Sequence, residues 1–389
     1  MVDLRWNRVC SVACGAAIVG SILSAAEVFA QSGITRRSSE FSDSGRPAAA
    51  RTGRSEFDLL LDDWNRVDQQ LDAITLQVRA AAVKRREEFR QEYVDLVREA
   101  WELLPQLRKA AIDEYRLHPN QDLDVTLTLL GLLAHEVRND QAETAVDIVS
   151  DLIEHGCEHL SLFNLAGRAT YCLNDFENAK RLLQHARERS AIDKQGDEYL
   201  RELEVARTRW RSELEFRQRD DAGSEPLPRV RMRTTQGDVL LELFENDAPQ
   251  TVGNFVQLVE SRFYDGLVFH RVVPNLMAQT GDPTGNGFGG PGYAIYDEVS
   301  KQNRHHFRGS LSMAKTKEPN TAGSQFFITF RPVSELDGKH TVFGRVVDGM
   351  EVIANLQKRE ANSPLEPDRI LTAEVDYKRP HEYRPNKVR

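Results

Sequence analysis

The hydrophobic pattern changes its period once along the chain, at Asp221–Pro228, and this change separates two fold classes. Between Glu56 and Arg219 glycine and proline are rare, and apolar residues recur at the spacing of amphipathic helices. The break itself contains two prolines, which lack amide donors, and a glycine, which raises chain entropy. Beyond it, short apolar runs alternate with turn signals. The sequence therefore predicts a multidomain chain, with a helical domain at 55–220, a linker at 221–228 and a mainly-β domain from 229.

Part of the helical domain has the spacing of a helix–turn–helix repeat. Gly167, Ala179 and Leu183 occupy small and apolar positions, with Asn174-Asp175 in the turn, and a step back of about 34 residues reaches a similar pattern around Asn139-Asp140. These segments resemble two degenerate tetratricopeptide repeats. Because about three repeats are needed to bury a continuous core, we expect the preceding helices to complete the domain. The resemblance leaves two roles open, a purely structural one and the binding of a protein partner.

The amino-terminal segment has the features of an export signal. Arg5 and Arg8 precede an uncharged apolar run, and Val28-Phe29-Ala30 places small or branched residues where a signal peptidase cleaves. Residues 1–30 are therefore predicted to be a signal peptide. The run is also close to the roughly 17 residues that span a bilayer, so an uncleaved anchor is the alternative. Either interpretation predicts a periplasmic or other extracytoplasmic chain that meets the membrane only through this segment.

Composition predicts little order on either side of the folded domains. Residues 31–54 are rich in Ser, Arg, Gly and Ala and are expected to form a flexible linker, and residues 378–389 are expected to be a disordered tail. The net charge of −9, from 51 Lys+Arg and 60 Asp+Glu, argues against general affinity for nucleic acid. Cys157 and Cys172 lie in helical patterns and are expected to be buried thiols.

No cofactor or metal ion is predicted. Gly285, Gly287 and Gly290 match the dinucleotide-binding spacing, but a Pro-Gly pair follows where the phosphate-binding helix should begin. His305-His306 lacks the ligand spacing of a zinc site, so these residues are interpreted as solvated loop histidines.

The mainly-β domain begins with a predicted hairpin, Val230–Thr234 and Val239–Phe244. Pro249 opens a helix, and a second helix is predicted near Met350–Leu356. Three blocks then resemble the cyclophilin family of peptidyl-prolyl isomerases in order and spacing; they are Phe269–Pro274 with Gln279–Asp282, Gly323–Ile328 and Leu336–His340. The resemblance covers 229–377. It implies an eight-stranded antiparallel barrel with two capping helices and isomerisation of X-Pro bonds.

One guanidinium can carry this chemistry. The barrier of ~20 kcal/mol to rotation of an X-Pro bond arises because the nitrogen lone pair is delocalised into the carbonyl. A donor that meets this lone pair only in the twisted state stabilises that state selectively. Arg271 is the residue that matches the family's position.

The resemblance also assigns the substrate-binding residues. Met277, Phe327 and Leu336 would line the proline pocket, and Leu276 would adjoin it. Gln279 and Gln325 would hold the substrate backbone, His340 would close one wall, and Ala314 would border the neighbouring groove. His270 is also predicted to belong to the substrate-binding residues, as a structural hydrogen-bonding neighbour rather than a catalyst.

Three departures from the family pattern bear on function. Leu276 stands where Phe is common, and the loop from Ala314 is one residue longer than usual. Glu335 stands where many members of the family have Trp, the residue that donates a hydrogen bond to cyclosporin, so the resemblance does not extend to binding of this drug. We predict an isomerase acting on unfolded or flexible proline-containing polypeptides. The alternative is a scaffold that binds such segments without catalysis while the helical domain recruits a protein partner.

Overall fold

The computed structural model describes residues 54–80, 89–299, 304–361 and 366–388. The predicted signal peptide and nearly all of the predicted linker 31–54 lie outside the described residues. The chain divides into two compact units. The first extends to Arg138 and includes Thr144–Leu165 and Pro364–Glu366, and the second comprises Asn139–Glu143, Ala166–Ser363 and Pro367–Arg389.

Helices occupy the part of the chain before residue 222, as the apolar spacing predicts. They are α1 (Glu56–Ala80), α2 (Arg90–Leu117), α3 (Leu123–Arg138), α4 (Ala142–Glu154), α5 (Leu160–Cys172), α6 (Phe176–Glu188) and α7 (Lys194–Asp221). None of the helices in the described ranges is both long and apolar enough to cross a membrane.

The predicted helix–turn–helix around residues 174 and 175 is confirmed. Asn174 adopts a left-handed φ of 64°, which turns the chain between α5 and α6. Asp175 then caps α6 by accepting a hydrogen bond of 3.2 Å from the amide of Asn178. A Cβ added to Gly167 would lie 2.6 Å from Leu183 Cγ, so the two helices can approach this closely only because residue 167 is glycine. The relationship to tetratricopeptide repeats stays a prediction.

The rest of the second unit contains an eight-stranded antiparallel sheet. Its strands are β1 (Arg229–Thr234), β2 (Asp238–Leu243), β3 (Arg271–Val273), β4 (Met277–Thr280), β5 (Ser310–Met313), β6 (Phe326–Thr329), β7 (Val342–Asp348) and β8 (Ile370–Tyr377). They are ordered β3-β4-β6-β5-β7-β2-β1-β8. The segments that precede the two edge strands also pair, since the amide of Phe269 donates to the carbonyl of Asp368 at 2.8 Å. The sheet therefore curls towards closure as a barrel.

Two helices accompany the sheet, as predicted. They are α8 (Pro249–Glu260), with its proline in the first turn, and α9 (Met350–Ala354). Side chains on β1 alternate between exposed and buried, so Val230 and Met232 point into the core. That core also contains Phe255 of α8 and Phe326 of β6, whose rings meet edge to face at 5.3 Å.

Two predictions about boundaries differ from the structure. Helices α6 and α7 belong to the same compact unit as the sheet, so the contacts do not divide at residues 221–228. The predicted disordered tail is wrong, because Tyr383 is buried and its hydroxyl donates to Glu245 at 3.1 Å, while Lys387 pairs with Ile295. One buried aromatic side chain is enough to hold a short polar segment in place. A prediction from average composition cannot detect the effect of a single side chain. Cys157 and Cys172 are both free, as expected.

Candidate active site

The register of three neighbouring strands places predicted site residues in one row. Arg271 on β3 is opposite Gln279 on β4, and Gln279 is opposite Phe327 on β6. Residues directly opposite one another in antiparallel strands project from the same face, about 5 Å apart. Positions that are separated by up to 56 residues in sequence, as Arg271 and Phe327 are, therefore become neighbours.

Arg271 is half-buried and has one acidic partner. Its Nε donates to Glu360 Oε2 at 2.8 Å. The backbone holds Glu360 in place, because Arg359 and Val272 exchange two hydrogen bonds of 2.7 and 2.8 Å beside β3. The carboxylate fixes the direction of the guanidinium through one nitrogen and leaves the two terminal nitrogens to donate elsewhere.

The two glutamines form a continuous polar strip next to Arg271. Gln279 Nε2 donates to Gln325 Oε1 at 2.9 Å. Gln325 Nε2 in turn donates to the carbonyls of Gly287 at 3.0 Å and Gly289 at 2.8 Å. The glycine-rich loop is thus fastened to a site residue, and residues 291–299 after it form no helix. Ala314 adjoins the strip, since its amide donates to the Gln325 carbonyl at 2.9 Å.

An aromatic wall lies at the other end of the row. The rings of Phe327 and His340 meet edge to face at 5.6 Å. His340 Nδ1 donates to the carbonyl of Met313 at 3.0 Å. Burial lowers the pKa of His340, and the hydrogen bond to Met313 opposes this shift without reversing it. At pH 7 the imidazole is therefore neutral, and it can border an apolar pocket without bringing a charge to it.

The remaining apolar residues lie on two turns and at the start of a strand. Leu276 is the last residue of the β3–β4 turn, where Asn275 has a left-handed φ of 59°, and Met277 is the first residue of β4. Leu336 ends the short 3-10 turn Ser334–Leu336 and is half-buried. The structure thus brings together Arg271, Gln279, Gln325, Phe327, His340 and Ala314 by direct contacts or register. It places Leu276 and Leu336 on the turns beside them and Met277 at the start of β4.

His270 is placed differently from its prediction. It is 1% exposed, so a substrate lying on the surface cannot touch it. Burial is the largest effect on its pKa and lowers it. Alternation along β3 is the cause, because Arg271 faces outward and its neighbour must then face the interior. The prediction of a substrate-binding role for His270 is corrected to an interior position.

A buried polar group below Phe327 was not found from the sequence. His306 is 2% exposed rather than solvated, and its ring stacks on that of Phe327 at 5.9 Å. Its Nδ1 lies 2.7 Å from Asp337 Oδ1, and its Nε2 lies 2.9 Å from Ser312 Oγ. The chain of contacts from Ser312 through His306 to Asp337 is like the catalytic triad of serine hydrolases. Ser312 has no exposed surface, however, so no substrate can reach it. The group therefore supports the ring of Phe327 from within.

Comparison with known proteins agrees with this geometry. The family model for cyclophilin-type peptidyl-prolyl cis-trans isomerases matches residues 229–375. The isomerase cypE of Dictyostelium discoideum is 45% identical over 149 residues, which cover 37% of this chain and 95% of that protein. The isomerase ppi1 of Schizosaccharomyces pombe is 44% identical over 150 residues, which cover 37% of this chain and 96% of that protein.

The comparison with solved structures also matches part of the chain. A cyclophilin-type isomerase of Cryptosporidium parvum is 34% identical with a TM-score of 0.37, and the match covers 39% of this chain and 99% of that one. Helices α1–α7 precede the residues that the family model matches. Since a relative of 45% identity is matched over 95% of its length, the chain belongs to the family of cyclophilin-type peptidyl-prolyl cis-trans isomerases.

Proposed function

We propose that Arg271 is the catalytic residue of this isomerase. Twisting the X-Pro bond returns the lone pair to the prolyl nitrogen, and a terminal nitrogen of the guanidinium can donate a hydrogen bond to it there. The donor meets this lone pair in the twisted state and not in the planar cis and trans states. It therefore lowers the barrier of ~20 kcal/mol by differential binding. The reaction needs no nucleophile, since no covalent bond to the polypeptide forms or breaks.

The observation that carries this proposal is the row of Arg271, Gln279 and Phe327 across β3, β4 and β6. It sets a charged donor, an amide and an apolar ring side by side on one face. Glu360 supports the assignment because it binds Nε and so orients the terminal nitrogens. Glu360 is 68% exposed, so the pair contributes at most about 1 kcal/mol to stability and acts mainly on direction.

The pyrrolidine ring of the substrate would enter the apolar pocket of Met277, Phe327 and Leu336. With the ring held, rotation moves the preceding carbonyl, and Gln279 and Gln325 would hydrogen-bond the substrate backbone beside it. Leu276 would border this pocket as an aliphatic wall, and His340 as a neutral aromatic one. Ala314 would leave space for the neighbouring substrate residue. Extended segments of unfolded or flexible polypeptides fit such a surface, because a folded substrate would hide its proline.

Exchange NMR on the full chain tests the catalytic assignment. Arg271→Ala should lower the catalysed cis–trans exchange rate of an Ala-Pro peptide by about 10²–10³-fold, the cost of removing one preorganised donor. Arg233→Ala is the matched control, because this arginine lies on β1, away from the site, and its side chain is 64% exposed. Equal rates for Arg271→Ala and the unmodified chain would contradict the proposal. Peptide binding without any acceleration by the unmodified chain would support a scaffold instead.

We also propose that the isomerase acts outside the cytoplasm, on exported proteins. The support is the leader in the sequence, with two arginines before an uncharged run and Val28-Phe29-Ala30 after it. Mass spectrometry of the chain from its native host measures the first residue. Gln31 is expected, whereas an intact amino terminus in the membrane fraction would indicate an anchor, and one in the cytosol would contradict export.

A further inference from the structure

Helix α7 packs against the sheet within the second compact unit. Trp210 of α7 meets Phe307, which precedes β5, with ring centroids 4.7 Å apart and an interplanar angle of 69°. Phe307 is buried in a cluster with Tyr199, Leu203 and Ala206 of the same helix. Apolar contact therefore holds α7 against the segment that precedes β5, and polar groups of the helix reach the loops beside it.

The first polar contact reaches the turn between β3 and β4. The hydroxyl of Tyr199 donates to the side-chain oxygen of Asn275, and Gln195 Nε2 donates to the same hydroxyl at 3.2 Å. The amide of Asn275 donates to Asp140 at 2.8 Å, and its carbonyl accepts from Arg331 at 2.8 Å. The amide, the carbonyl and the side-chain oxygen of this residue, which has a left-handed φ, thus all help to fix the turn. Leu276 and Met277 follow directly.

The second polar contact reaches the 3-10 turn Ser334–Leu336. Arg209 Nη1 donates to Asp337 Oδ2 at 2.7 Å and lies 3.4 Å from the Ser334 carbonyl. The other oxygen of Asp337 accepts from the amide of His306 at 2.8 Å and lies 2.7 Å from its Nδ1. The Asp337 side chain is only 8% exposed, so the ion pair is shielded from solvent and retains more strength than a surface pair. Leu336 lies between Ser334 and Asp337.

These two turns carry different walls of the proposed proline pocket. Met277 follows one turn, Leu336 belongs to the other, and Phe327 lies on β6, which pairs with β4 beside them. The distance between the walls depends on what holds each turn, and α7 holds both. We propose that Tyr199 and Arg209 are positioning residues, which set the width of the proline pocket from outside the part of the chain that the family model matches.

This proposal rests on the proposed function, because it presumes that Met277 and Leu336 grip the pyrrolidine. A pocket of fixed width discriminates against a ring enlarged by one methylene group by about 10-fold or more. Loosening either turn should weaken this discrimination before it affects the fold. The relevant quantity is therefore the ratio of kcat/KM for an Ala-Pro peptide to kcat/KM for the same peptide with pipecolic acid, whose ring has one more methylene.

Exchange NMR on full-length Arg209→Met and Tyr199→Phe measures this ratio. Each variant should lower it several-fold, mainly through a higher KM for the proline peptide, because pockets built to fit a ring discriminate by about 10-fold per methylene. Arg207→Met is the matched control, since this arginine is on the same helix but pairs with Glu177 and Glu204 of the helices. Its ratio should equal that of the unmodified chain.

The outcomes separate this proposal from the one on which it rests. A purely stabilising role would lower the urea midpoint of Arg209→Met and leave the ratio unchanged in the folded protein, which would overturn the proposal. Tyr199→Phe removes one hydroxyl group only, and it decides the question if Arg209→Met does not fold. A lack of catalysis by the unmodified chain would instead overturn the proposed function.

Discussion

Replacement of Arg304 by methionine should strongly destabilise the second unit. The side chain has no exposed surface, and its guanidinium contacts three carboxylates. Nη1 donates to Glu213 at 3.0 Å, Nε donates to Asp247 at 2.8 Å, and Nη2 pairs with Asp220. The guanidinium also lies 3.6 Å from the ring centroid of Phe244. Methionine has a similar apolar stem, so the variant removes the charge and the donors with little loss of volume.

The size of this loss in stability depends on the partners that the three carboxylates keep. Removing one member of a buried ion pair costs about 3–5 kcal/mol, because the other charge stays buried without compensation. Here Glu213 keeps a bond of 3.0 Å from Arg217, while Asp220 and Asp247 keep Arg219 at 3.1 and 2.8 Å. We therefore expect the lower end of that range, a loss of about 3 kcal/mol in the free energy of unfolding.

Hydrogen exchange measured by mass spectrometry suits this test, because peptides from β5 and β6 report on the opening of the second unit alone. The matched control is Arg219→Met. The native Arg219 contacts two of the same carboxylates, but its side chain is 46% exposed. It should cost less than about 1 kcal/mol. A loss for Arg304→Met no larger than that of the control would refute the argument that burial gives this arginine its importance.

Two further predictions concern ligand binding and pH. Glu335 is 54% exposed and offers only acceptors, so the chain should bind cyclosporin poorly, and Glu335→Trp should strengthen binding by about 1–3 kcal/mol through an indole donor and aromatic contact. Calorimetric titration compares the two, and tight binding by the unmodified chain would contradict the reasoning. Burial lowers the pKa of His135 in α3 from 6.5 to about 4. Between these values the unfolded chain takes up a proton that the folded chain does not, so the stability contribution present above pH 6.5 should fall by about 3 kcal/mol as the pH approaches 4. Hydrogen exchange of α3 peptides across this range should give a flatter pH profile for His135→Gln, and equal slopes for the two proteins would count against this account.

Local patterns in the sequence determined the secondary structure and the positions of the site blocks. Apolar spacing predicted the helices before residue 222, and the hairpin signal predicted β1 and β2, because both patterns report burial within a few neighbouring residues. The three motif blocks also identified Arg271, Gln279 and Phe327 before any contact among them was known. Strand register brings these residues close together. The sequence alone does not specify this register, and it was expected only because of the resemblance to a known family.

Only the tertiary structure decided which residues meet across long separations. The sequence pattern assigned His306 to solvent, whereas its ring is within hydrogen-bond distance of Asp337. The pattern also placed a domain boundary after α7, whereas Arg304 forms an ion pair with Glu213 of α7, 91 residues away in sequence. Composition likewise could not anticipate that Tyr383 anchors the tail. A charged or polar residue looks the same in sequence whether it faces water or a buried partner. Its role is settled by the folded chain, because burial without a partner costs several kcal/mol and burial with one does not.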